Sequence, residues 1–277
     1  MERFTTSDGL SLAYADEGEG VPLLCLAGLT RNMEDFEPLM TARPGAARYI
    51  RLDARGRGAS DYAEDISTYA VPIEARDVLE LMDHLGLQRA ALLGTSRGGL
   101  IAMALAATVP DRLTGVLFND IGPALEAEGL GKIMDYIGLP PAASTHAEMA
   151  QGLAAYFGGS VTGVSQADWE AQSRRQFTET PGGLALRYDA RLRDALLAQR
   201  DQPVPDLWPF FEALRAHPVA VLRGAHSDLL SEATVDAMAA RHPGMLRATV
   251  PGRAHVPFLD EPESLALFDA FLAELSR

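Results

Sequence analysis

Cysteine, clustered positive charge and long apolar runs are all scarce in this 277-residue chain, and each scarcity excludes a class of protein. The single cysteine, Cys25, excludes an intramolecular disulfide and a cysteine-based zinc site. It lies in the apolar stretch VPLLCLAG, so we expect a small buried side chain rather than a reactive thiol.

The charge balance and the hydropathy pattern exclude two kinds of partner. The formal net charge is -14 and no Lys/Arg-rich run occurs, whereas a nucleic-acid surface needs clustered positive charge. No uncharged apolar stretch approaches the roughly 18 residues of a membrane span. The first residues lack a basic region followed by an apolar one, which predicts no signal peptide and a cytoplasmic location. Nothing in the sequence indicates the oligomeric state.

Strand and helix patterns alternate along most of the chain, which is typical of βαβ units and a mostly parallel sheet. Continuous apolar runs at 21–28 and 47–52 predict buried strands, and apolar residues at helical spacing predict a helix over 72–86. From about 121 to 205 the pattern is helical, without a convincing strand. We therefore predict an α/β core at 1–120 and 206–277, interrupted by a helical cap at 121–205.

The stretch LLGTSRGGL, residues 92–100, places Ser96 where a predicted strand becomes a helix. Small residues two positions to either side would allow a tight turn that exposes the serine side chain as a nucleophile. Such a turn also leaves the N–H of Arg97 at a helix N-terminus, where a developing oxyanion would form. The alternative is an ordinary turn that needs small residues.

A serine nucleophile needs a base, and only one histidine has a suitable context. His255 follows the last predicted strand, at the sheet edge where catalytic groups collect. His84 lies on a predicted helix, and His146 has no motif around it. The chain has six histidines: His84, His146, His217, His226, His242 and His255.

Two aspartates compete to orient that histidine. Asp228 follows the penultimate core strand, and Asp120 occupies the equivalent edge one strand earlier. We favour Asp228, with Asp120 satisfying a local turn. His226 and Asp228 could form part of a metal site, but no third ligand is clustered with them, so we predict no metal. Hydrolysis by a serine nucleophile also needs no organic cofactor.

The order Ser96, Asp228, His255 resembles the nucleophile–acid–base order of the α/β-hydrolase superfamily over essentially the whole chain. The segment DARGRGASD, residues 53–61, is similar to one found in its smaller esterases, lactonases and C–C bond hydrolases. The resemblance implies an α/β-hydrolase fold with an inserted helical cap. It also implies that the backbone N–H of Leu29 joins that of Arg97 as an oxyanion donor, although Ala27 stands where many relatives have histidine.

These features predict a serine hydrolase of a small carboxylic ester or lactone, working through an acyl-enzyme on Ser96. A C–C bond hydrolase of ring-cleavage products and a non-catalytic ligand receptor on the same fold are the alternatives. The Arg97 side chain could grip a substrate carboxylate, but we favour a structural ion pair behind the turn. We expect Arg174 and Arg175 at the surface, and most aromatic side chains of the cap packed against the core.

Overall fold

The computed structural model describes residues 1–199 and 205–277. The strands are β1 (Glu2–Thr5), β2 (Ser11–Glu17), β3 (Pro22–Leu26), β4 (Arg48–Leu52), β5 (Ala90–Thr95), β6 (Leu113–Asn119), β7 (Phe177–Thr180), β8 (Gly183–Leu186), β9 (Val219–Gly224) and β10 (Leu246–Val250). The helices are α1 (Glu37–Ala42), α2 (Val71–His84), α3 (Arg97–Thr108), α4 (Ala127–Tyr136), α5 (His146–Phe157), α6 (Gln166–Gln176), α7 (Leu192–Gln199), α8 (Trp208–Glu212), α9 (Glu232–Arg241) and α10 (Pro262–Leu275).

Eight strands form one sheet in the order β1-β2-β4-β3-β5-β6-β9-β10. The β1–β2 and β2–β4 pairs are antiparallel, and the remaining pairs are parallel. The mostly parallel sheet predicted from the sequence is therefore confirmed. Its parallel strands bring the ends of β3, β5, β6 and β10 to one edge, where ligands bind in such sheets.

Helices cover both faces of the sheet. Alternate residues of each central strand point to opposite faces and pack against these helices. Leu24 and Leu26 of β3 join a buried cluster with residues of α2, α3 and α9. Leu23 and Cys25 join a second cluster with residues of α1 and α10. Cys25 is fully buried, as predicted, and burial raises the pKa of its thiol, so it stays protonated.

The chain between β6 and β9, here called the β6–β9 segment, contains α4 to α8 and a separate two-stranded hairpin. The antiparallel β7–β8 hairpin was not expected from the sequence, which suggested helices alone. Its turn, Thr180-Pro181-Gly182-Gly183, carries the turn residues that could have revealed it, with Gly183 at a φ of 110°. Residues 200–204 of the predicted cap lie outside the described residues.

No helix within 1–199 and 205–277 has the length and apolarity needed to cross a bilayer.

Candidate active site

Ser96 lies at the turn between β5 and α3, with φ 50° and ψ -115°, which is strained backbone for a residue with a side chain. The neighbouring glycines make the turn possible. A Cβ at Gly98 would approach the carbonyl oxygen of Leu26 to 2.0 Å, and one at Gly94 would approach the Gly99 nitrogen to 2.6 Å. The predicted strand–turn–helix context of the serine motif is therefore confirmed, and its small residues have a steric cause.

His255 reaches this serine from the loop that follows β10. Its Nε2 lies 3.0 Å from the Ser96 Oγ, and its side chain is 16% exposed. That exposure leaves the pair partly open to the surface, as substrate access requires. The structure thus brings together the two side chains that the sequence analysis selected.

Asp120, not Asp228, holds the other side of the imidazole. The His255 Nδ1 lies 2.7 Å from the Asp120 Oδ2, and the carboxylate is fully buried. The Gly224 N–H donates to Oδ1 at 2.8 Å and the Ser227 hydroxyl donates to Oδ2 at 2.6 Å. Three donors thus satisfy the charge that burial would otherwise disfavour.

The prediction that Asp228 orients His255 is therefore wrong. The Asp228 carboxylate points to the β6–β9 segment, where Lys132 of α4 donates to it at 2.7 Å. The Asp228 carbonyl also accepts the Gly129 N–H at 3.0 Å. Asp120 turns inward because its backbone adopts a left-handed conformation, with φ 56°, directly after β6. The sequence positions of Asp120 and Asp228 showed that either carboxylate could reach His255, but they did not show which way each side chain turns.

The two backbone amides expected to bind an oxyanion flank Ser96. A Cβ placed on Gly28 would lie 3.7 Å from the Ser96 Cβ, so the loop after β3 lies against the serine. Among the described residues, the N–H groups of Leu29 and Arg97 donate no hydrogen bond. The Arg97 amide is open because it begins α3 and has no carbonyl one turn earlier in the helix.

The Arg97 side chain makes the ion pair favoured in the sequence analysis. Its Nε donates to the Glu74 Oε2 at 2.6 Å, and its Nη2 donates to the Tyr69 carbonyl at 3.0 Å. Arg57 Nη1 donates to the other Glu74 oxygen at 2.7 Å. Burial opposes ionisation of Glu74, but the charges of Arg57 and Arg97 outweigh it and hold the pKa of Glu74 below its usual value. The Arg97 guanidinium is therefore occupied by contacts within the protein.

The DARGRGASD segment holds the neighbouring loops in place. The Asp53 carboxylate accepts the backbone N–H groups of Met33, at 2.7 Å, and Ala59, at 2.8 Å. The fully buried Arg55 donates to Asp77 at 2.6 Å. The Asp53 contacts tie this segment to the loop after β3, whereas the Arg55 side chain binds α2, and neither reaches the serine itself.

Aromatic side chains connect the β6–β9 segment to the histidine loop. Trp169 of α6 stacks on Phe157 with ring centroids 5.5 Å apart and meets Phe258 edge-on at 5.9 Å. Trp169 is 5% exposed, so its packing use is confirmed. Tyr136 of α4 differs, because it is 46% exposed.

Arg174 and Arg175 occupy different environments despite being neighbours. The Arg174 side chain is 59% exposed, as expected, but the Arg175 Nε is buried without a partner among the described residues. Burial lowers the pKa of Arg175. Arg175 is therefore only partly exposed, because the end of α6 packs against the loop after β3, where Asn32 donates to the Arg175 carbonyl at 2.6 Å.

Comparison with known proteins places this arrangement in a family. Residues 21–262 match the model of the alpha/beta hydrolase fold. The chain is 33% identical over 271 residues to a 3-hydroxybutyrate-oligomer hydrolase of Cupriavidus necator, covering 94% of this chain and 92% of that protein. It is 28% identical to a 2-(acetamidomethylene)succinate hydrolase of Mesorhizobium japonicum, covering 89% and 85% of the two chains.

Solved structures agree with the sequence comparisons. An alpha/beta hydrolase from Novosphingobium aromaticivorans superposes with a TM-score of 0.93 at 37% identity, covering 99% of this chain and 97% of that one. The chain belongs to the α/β-hydrolase family, as the sequence motifs implied.

Proposed function

We propose that this hydrolase cleaves a small carboxylic ester or lactone through an acyl-enzyme on Ser96. The observation that carries the proposal is the unbroken chain from the Ser96 Oγ through the His255 ring to the Asp120 carboxylate, with links of 3.0 and 2.7 Å. The proposed acid is Asp120 rather than Asp228, because only Asp120 contacts His255.

In the proposed first half-reaction, Ser96 Oγ attacks the substrate carbonyl carbon while His255 Nε2 takes the hydroxyl proton. The carbonyl electron pair moves to the oxygen, which the Leu29 and Arg97 amides bind. Each such donor contributes roughly 3 kcal/mol to lowering the barrier. Asp120 keeps the proton of the neutral ring on Nδ1 and stabilises the imidazolium that forms.

Collapse of the tetrahedral intermediate breaks the bond to the leaving alkoxide, which takes its proton from His255. A water then gives a proton to His255 and attacks the acyl carbon. The second intermediate releases the acid and returns the proton to Ser96 Oγ. A serine at the turn between β5 and α3 supports acyl transfer, because attack on an alkyl carbon, as in dehalogenases, uses a carboxylate nucleophile instead.

The relatives and the β6–β9 segment support the proposed substrate class. Oligomers of 3-hydroxybutyrate, named for the relative of Cupriavidus necator, are joined by carboxylic ester bonds. We propose that the β6–β9 segment acts as a cap that covers Ser96 and selects among such esters. Its contact with the histidine loop through Trp169 and Phe258 supports this role.

The first test is the intact mass of the protein after brief exposure to a fluorophosphonate, for wild type and Ser96→Ala. We expect one adduct on wild type and none on the variant, because only an activated serine reacts. An ester and lactone panel that includes 3-hydroxybutyrate oligomers then defines the substrate. Slow ester turnover with fast cleavage of dienoic keto-acids would instead mean C–C bond hydrolysis. Absence of any adduct, with ligand-induced thermal stabilisation and no product, would mean a receptor.

A further inference from the structure

One buried carboxylate connects both sides of the proposed oxyanion site. Glu74 of α2 is 2% exposed, and its two oxygens accept from different arginines. Oε1 accepts from Arg57 at 2.7 Å, and Oε2 accepts from Arg97 at 2.6 Å. Neither arginine lies at the surface, since Arg57 is 1% exposed and Arg97 is 9% exposed.

Each of these arginines fixes the backbone that carries one of the proposed oxyanion donors. Arg57 Nε donates to the Leu29 carbonyl at 2.9 Å, which fixes the loop after β3. Arg97 carries the second donor on its own backbone, and its side chain fixes the first residue of α3. Glu74 is therefore connected through one arginine to the Leu29 backbone and through the other to the Arg97 backbone.

A small cavity adjoins the loop after β3. It is lined by residues of β3, that loop, α2 and α3, and includes Gly28, Glu74 and Ile101. Among the described residues, the Arg57 guanidinium is the hydrogen-bond partner of the Leu29 carbonyl, so this contact helps to fix the position of Leu29.

We propose that Glu74 is a positioning residue that holds the Leu29 and Arg97 amides at the separation an oxyanion requires. This inference rests on the proposed function, because it concerns the same site. Donors stabilise an oxyanion only when they are already placed about 2.7–3.1 Å from its position. Replacing a buried arginine–carboxylate cluster by apolar residues of the same volume costs little folding stability. Stability alone therefore does not explain the buried Glu74 cluster, whereas fixing the geometry of the two amides would.

The chain offers a matched control on the same helix. Asp77, one turn after Glu74, is 1% exposed and accepts from the fully buried Arg55 at 2.6 and 2.7 Å. The Arg55 and Asp77 side chains make no hydrogen bond to Leu29, Arg57 or Arg97; the Arg55 backbone carbonyl accepts from Arg57 Nη1 at 2.6 Å, and Asp77→Asn leaves that carbonyl in place. Glu74→Gln and Asp77→Asn each replace a buried arginine-paired carboxylate by an amide of equal size, so both lose folding stability for the same reason.

The test compares p-nitrophenyl butyrate hydrolysis by the wild type, Glu74→Gln and Asp77→Asn. The Gln amide presents N–H donors to one of the two guanidinium groups, so one connection breaks. We expect Glu74→Gln to lower kcat about 10- to 100-fold while KM stays within about threefold of wild type. This loss of kcat is smaller than the loss expected when one oxyanion donor is removed completely. Asp77→Asn should stay within about threefold of wild type in both. The inhibition constant of phenylboronic acid, whose serine adduct mimics the tetrahedral state, should rise as kcat falls.

Glu74→Asp provides a second route if Glu74→Gln does not fold. It keeps the charge but is one methylene shorter, so it cannot hold both arginines at the present distances, and we expect about a tenfold loss in kcat. A folded Glu74→Asp with wild-type kcat, equal losses in Glu74→Gln and Asp77→Asn, or unchanged boronate inhibition would overturn the inference alone. A wild type that neither hydrolyses esters nor takes up a fluorophosphonate would overturn the proposed function and this inference together.

Discussion

Asp120 shows at the scale of a single residue how backbone conformation selects a partner for His255. Its φ of 56° turns the carboxylate into the protein, where it contacts the histidine at 2.7 Å. Asp228 stands at the carboxyl end of a neighbouring strand but turns outward to Lys132. The roles of these two aspartates can therefore be separated by paired substitutions.

Asp120→Asn should lower kcat by about 10³- to 10⁴-fold, because an amide facing Nδ1 favours the tautomer that carries its proton on Nε2. That tautomer cannot accept the proton of Ser96. Asp228→Asn should leave kcat within about threefold, since it loses an ion pair with a half-exposed lysine. Steady-state hydrolysis of one chromogenic ester by both variants measures this difference. Comparable losses in the two variants would reject the assignment of Asp120.

Ser96 and His255 could be predicted because local sequence identifies them. The glycines around Ser96 are needed for a turn between adjacent elements, and His255 follows the last strand of a regular alternation. The choice between Asp120 and Asp228, and the partial burial of Arg175, depend on tertiary contacts that no local pattern contains. The Glu74 connection was missed because Glu74 reads as an ordinary charged residue on an amphipathic helix.

At the scale of an element, α4 contacts the core through one of its two glycines. A Cβ at Gly129 would lie 2.8 Å from the Asp228 carbonyl oxygen and 2.9 Å from the Leu229 Cα. A Cβ at Gly131 would meet nothing within 4 Å. The helix therefore lies close to the loop after β9 on one side and is open on the other.

Gly129→Ala should lower the free energy of unfolding by about 1–3 kcal/mol, because the methyl group pushes α4 from the loop. Gly131→Ala should raise it by about 0.5–1 kcal/mol, because alanine loses less backbone freedom in a helix than glycine. Urea unfolding of the two variants in one buffer gives both values. Stabilisation by both changes would mean that α4 does not depend on this close approach.

At the scale of the whole molecule, a mostly parallel sheet with helices on both faces could be predicted from the alternation of strand and helix patterns, but its strand order could not. The β7–β8 hairpin and the way the β6–β9 segment meets the core could not. That contact uses side chains far apart in sequence, such as Arg31, whose guanidinium donates to Gln172 at 3.0 Å. Pairs of this kind leave no periodic signal in a single sequence.

We expect His146 to make the stability of the whole molecule depend on pH. It is 5% exposed at the start of α5, and its Nδ1 lies 2.8 Å from the Ser173 Oγ. Burial and the charge of Arg174 lower its pKa below the ordinary 6.5, although Glu179 and Glu170 oppose this. The unfolded chain therefore binds the proton more readily, and the stabilising contribution, present above about pH 6.5, is lost as pH falls. Urea unfolding between pH 5 and 8 should show a shallower pH slope for His146→Gln than for wild type, and identical slopes would contradict the assignment.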